Sequence, residues 1–136
     1  MTLDEFIDVQ RTRPFAYFEN DCVSIAADWV LEKSGRDILA ELRAPDGAYA
    51  SHNLLTAMRV FRQAGGFVEA ASQLLGPHVP GLTAQRGDVV LALSGGKIGR
   101  VSGYSFGVCT GSHIAAPGTD QLEFLPLTAG VAAWRV

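Results

Sequence analysis

The chain has 136 residues, 48% of them hydrophobic and 18% charged, with a net charge of −3. That length and hydrophobic content suffice for one buried core and exclude wholesale disorder. No basic run exceeds a pair and no apolar run nears the ~20 residues of a membrane span, which argues against both nucleic-acid binding and a membrane-spanning segment.

Thr2 and Glu5 make a T-x-x-E capping box ahead of Phe6, Ile7 and Val9, which predicts a short first helix. "RTRPFAYFEN" predicts a loop, with Pro14 biasing Arg13 toward an extended conformation. From there Cys22, Ile25, Ala26, Trp29 and Val30 fall on one helical face, capped by Asp21 or Asn20 and ended by Gly35. "APDGAY" predicts a turn. Ser51 is a cap candidate for a helix with Leu54, Met58 and Phe61 on its apolar side, ending at Gly65-Gly66. "FVEAASQLL" predicts one more helix, stopped by Gly76-Pro77.

After Pro80 the pattern changes to short β-type runs: "GDVVLAL", "YSFGVCTG", "HIAA", "QLEFLPL" and "VAAWRV". The fold class is therefore α+β, a single domain over 1–136 with a mainly helical half (1–80) and a mainly strand half (81–136). The helices are expected to pack on an antiparallel sheet or partial barrel. "SGGKIGR" lacks the phosphate-loop pattern and predicts a hairpin loop.

Cys22 heads its helix, where unpaired N–H groups and the helix dipole lower a thiol's pKa. It is thus a candidate nucleophile, and equally a small apolar residue starting a core helix. Cys109 and Gly107 alternate with Ser105 on one strand face, expected to pack against the Cys22 helix. In a reducing compartment the two cysteines are expected as free thiols. No zinc-ligand spacing is present, so neither a metal nor a cofactor is expected.

Three segments together resemble the NlpC/P60 group of papain-like cell-wall peptidases: "PFAYFENDCVSIAADWV", "QRGDVVLAL" and "SFGVCTG". The whole chain is similar to a small family encoded in phage and prophage tail clusters, through "RPFA…DC…AADW", "GRD", "RQAGG", "LLGP", "RGDVV", "GVCTG" and "FLPL…AAWRV". The resemblance implies a papain-like NlpC/P60-type fold with Cys22 at the nucleophile position. It places Ser105 where the peptidases hold their histidine base, and Ala115 or Ala116 where they hold a third polar residue. A serine hydroxyl has no accessible basic form near neutral pH.

His113 is the substitute base candidate, against a plain strand-edge histidine. His78 reads as a connector residue and His52 as a neutral residue in a helix's first turn. Trp29 and Trp134 are expected as core anchors, with Asp28 solvated.

The leading expectation is a phage or prophage tail (tail-tip) component or assembly factor whose partners are other tail proteins. It would be made in the bacterial cytoplasm, since "MTLDEFIDVQ" is no secretory signal, and carried into the virion tail. The alternative is a cysteine peptidase or amidase acting on peptidoglycan stem peptides.

Overall fold

The computed structural model describes residues 1–93, 103–118 and 120–136. The expected "SGGKIGR" hairpin lies outside the described residues. Among the described residues five helices come first: α1 (Leu3–Gln10), α2 (Cys22–Ser34), α3 (Ile38–Arg43), α4 (Leu54–Gln63) and α5 (Phe67–Leu75). Six strands follow among the described residues: β1 (Val79–Pro80), β2 (Val89–Leu93), β3 (Tyr104–Cys109), β4 (His113–Pro117), β5 (Leu122–Pro126) and β6 (Gly130–Trp134). They form one sheet in the order β1-β6-β2-β3-β4-β5, antiparallel throughout. The chain is α+β.

Local chemistry explains the helix ends. Thr2 accepts from the Glu5 N–H and donates to its carboxylate, the capping box read from the sequence. Asp21 caps α2, and Gly35 ends it with φ of 77°, a left-handed conformation that suits glycine. The cap of α4 is Asn53, which accepts from the Thr56 N–H, rather than Ser51. His52 precedes that cap with φ of 50° and so lies outside the helix's first turn. Helix α3, capped by Asp37, is an element the sequence pattern did not signal.

The sheet is covered on both faces. On one, α2 and α1 pack over β2, β3 and β4. There Ala26, Ala27 and Val30 meet Val89, Leu91 and Phe106, while Phe6, Ile25 and Trp29 meet Val108 and Ala115. The Trp29 indole N–H donates to the Gly87 carbonyl at 2.8 Å, fixing α2 to the chain entering β2.

The opposite face buries Val90, Ala92, Cys109, Ile114 and Ala116 beneath residues flanking two 3-10 turns, Gly81–Thr83 and Leu127–Ala129. Cys109 therefore faces away from α2, contrary to expectation. Both faces of β3 are buried, so burial did not distinguish them; Ser105, at the other end of the strand, still reaches Cys22 at the head of α2. Gly107 lets β3 and β4 approach closely: a Cβ there would stand 2.5 Å from the Ala115 carbonyl oxygen.

Trp134 is fully buried in β6, which lies between β1 and β2. Among the described residues no helix is long and apolar enough to cross a membrane.

Candidate functional site

The α2 N-terminus is set by a tight turn in the loop before it. Ala16 and Asn20 pair across it, and Phe18 at its tip takes φ of 68°. The Asp21 carboxylate holds that turn. It accepts from the Phe18 N–H at 2.9 Å, the Ser24 N–H at 2.8 Å and the Tyr49 hydroxyl at 2.6 Å. Arg43 reaches from the C-terminal end of α3 to donate to the Phe18 carbonyl at 3.1 Å. Asp21 was legible as a helix cap; its bond to Tyr49 was not, because 28 residues separate them.

Cys22 follows directly and opens on a cleft between α2, α4 and β3. Phe18, Tyr49, Met58, Phe61, Tyr104 and Phe106 contribute to its walls. Cys22 is half-buried, but the surface it keeps faces this apolar cleft.

The thiol's environment reverses the expectation for a helix N-terminus. Burial, and next the Asp21 carboxylate, push the Cys22 pKa from 9.0 up to about 11. The Phe106 N–H, the Ser105 hydroxyl and the Val23 N–H act the other way and do not offset them. Loss of solvent around the thiol is the larger effect, and the adjacent carboxylate adds to it in the same direction. Tyr49 is likewise held well above the ordinary tyrosine range, by burial first and then by Asp21.

An alkaline loss of stability follows. The folded state favours the neutral thiol, so its contribution is complete below 9.0 and disappears as pH rises toward about 11. Tyr49, raised from 10.0, acts with the same sign at higher pH. Urea unfolding below and above pH 9 should show the decline, and Cys22→Ser should lose less stability than the wild type across that range.

Ser105 is buried and close enough to act on the Cys22 sulfur, so these two sequence-derived positions are neighbours. His113 is not brought to them. Val108 pairs with Ala115 and Cys109 with Ile114, so Ser105 and His113 lie toward opposite ends of the β3–β4 pair. The offset is about five residues, roughly 16 Å along the strands. His113 is exposed, with its Nδ1 3.0 Å from the Ser112 hydroxyl.

The other two histidines do not line the cleft either. His52 packs edge-on behind the cleft wall Phe18, with ring centroids 5.4 Å apart, and the His78 ring lies 6.3 Å from that of Trp134. Ala115 and Ala116 are both buried alanines, so neither offers a third polar group. Asp28 is partly buried rather than freely solvated: burial raises its pKa, opposed chiefly by Arg13 at 3.9 Å. No cluster that could hold a metal ion occurs among the described residues.

The chain belongs to a family described as a domain of unknown function (DUF6950). The match spans residues 1–136. No curated protein and no solved structure matches the chain.

The arrangement thus offers a protonated thiol, a serine and an apolar cleft. It brings none of the three histidines to the sulfur as an activating base.

Proposed function

We propose that this chain is a component or assembly factor of a phage or prophage tail, near its tip. On this reading it is built on a papain-like NlpC/P60 scaffold that does not hydrolyse peptides and serves protein–protein contact. One observation carries the non-catalytic half: the thiol at the nucleophile position is held protonated beside Ser105, and none of the chain's three histidines reaches its cleft. The tail assignment rests on the whole-chain resemblance of the ordered motifs from "RPFA" to "AAWRV".

Complementation tests both halves. A phage or prophage lacking the gene should regain normal tails when supplied with Cys22→Ser or Cys22→Ala, as it does with the wild type. Tails that form normally without the gene would contradict the tail role. Normal tails with the wild type but none with either soluble, folded variant would favour the alternative. There Cys22 attacks peptidoglycan stem peptides, with a base supplied by another chain.

A further inference from the structure

Helices α4 and α5 lie on the molecule with little buried beneath them. Each buries one residue, Ala57 in α4 and Ala71 in α5. Val60, Phe61, Phe67, Val68, Leu74 and Leu75 touch the core yet stay partly exposed. All belong to the one core cluster that α2 shares with Val89, Leu91 and Phe106. The clusters around Trp29 and Val108, and around Val90 and Ile114, contain no residue of either helix.

Two apolar voids separate the helix pair from the body. One, of about 40 Å³, is the Cys22 cleft, with Met58, Phe61 and Phe67 on its helix side. The other, of about 50 Å³, has Ala70, Ala71 and Leu74 opposite Ala27, Val30 and Ile38. Val23, Phe61 and Phe106 border both, so the voids form a seam along the underside of the pair. Atoms lining such gaps lose dispersion contacts, which weakens the closed arrangement.

Among the described residues two hydrogen bonds tie the pair to other elements. The Trp134 indole N–H donates to the Ser72 hydroxyl at 3.2 Å, and Arg36 donates to the Leu74 carbonyl. The chain enters the pair at His52 with φ of 50° and leaves it at Gly76 with φ of 94°. Both are element-terminal positions of the kind that absorb backbone rotation in a hinge.

From this juxtaposition we propose that α4 and α5 form a lid that swings as a unit about His52 and Gly76 and controls access to Cys22. The rings of Phe61 and Phe67, 5.4 Å apart, hold the two helices to each other. The open state keeps α1, α2 and the sheet folded, because their other two core clusters are untouched. Opening therefore costs less than global unfolding. It exposes the thiol together with the apolar underside of the pair. The lid governs entry to the cleft whichever role the cleft serves.

Native-state hydrogen exchange of the full chain in low urea, resolved by NMR, is the test. The slowest amides of α4 and α5 should be at least about tenfold less protected than those of α2 and β2, with a shared and smaller urea dependence. Ile25→Val lies in a cluster the lid does not touch. It should lower the protection of α2 and β2 and leave that of α4 and α5 unchanged. Ser72→Ala should speed exchange in both lid helices, and Cys22 alkylation at mildly alkaline pH, by the same factor of about five.

Equal protection across the chain, or a fall in α4 and α5 that tracks α2 in Ile25→Val, would mean that no separate lid exists. Different urea dependences for the two helices would overturn their movement as a unit. Faster exchange with unchanged alkylation in Ser72→Ala would overturn the control of Cys22.

Discussion

Asp21→Ala should lower the unfolding free energy by about 3–5 kcal/mol, because it breaks a buried charged network by removing its acceptor. Asp21 is 4% exposed and satisfies three donors at once: two backbone N–H groups and the Tyr49 hydroxyl. The helix cap alone accounts for about 1 kcal/mol. The larger share comes from leaving three buried donors without their acceptor. Tyr49→Phe removes a single bond and should cost about 1–2 kcal/mol. Equilibrium urea unfolding near neutral pH measures both. A loss for Asp21→Ala no larger than for Tyr49→Phe would mean that the carboxylate is not the hub of this corner.

Trp134→Ala should cost about 3–5 kcal/mol, the range for removing a buried large aromatic side chain, and lower the melting temperature by roughly 15 °C. Trp134 has no exposed surface. Its ring lies 6.0 Å from Phe106, and its indole N–H donates to the Ser72 hydroxyl of α5 at 3.2 Å. The residue thus joins the sheet to a helix that buries little else. Trp134→Phe keeps most of the ring contact and should cost less than half as much. Calorimetry of the two variants checks the order, and equal losses would assign the effect to the indole hydrogen bond.

Much of this architecture was legible in the sequence because its signals are local. The T-x-x-E box, the period of Cys22, Ile25 and Trp29, Gly35, and the Gly- and Pro-bounded apolar runs each report on neighbouring residues. Helix α3 was not legible. It spans six residues, and Ile38 and Leu42 give it only one apolar repeat, too little to show a period. The shift of the α4 cap from Ser51 to Asn53 has a similar cause, since both are competent caps and the left-handed backbone of His52 decides between them.

At the site, the sequence located Cys22 and Ser105 but not the sign of the thiol's shift. Burial and Asp21 raise the thiol's pKa, while the Phe106 N–H, the Ser105 hydroxyl and the Val23 N–H lower it. Which prevails depends on burial in a cleft whose walls come from α2, α4, α5 and the sheet. No spacing rule carries that information. The position of His113 depended on strand register, which places it at the far end of β4 from Ser105's neighbours.

The most direct measurement of the site's character is the pH dependence of Cys22 alkylation by a small thiol reagent, with Cys22→Ala as background and His113→Ala as control. With its pKa raised from 9.0 to about 11, Cys22 holds about a hundredfold less thiolate at neutral pH than an ordinary thiol. Modification should therefore be slow, rise only at strongly alkaline pH, and be unaffected by His113→Ala. An apparent pKa below that of a free thiol, raised by His113→Ala, would contradict the non-catalytic reading and return Cys22 to the role of nucleophile.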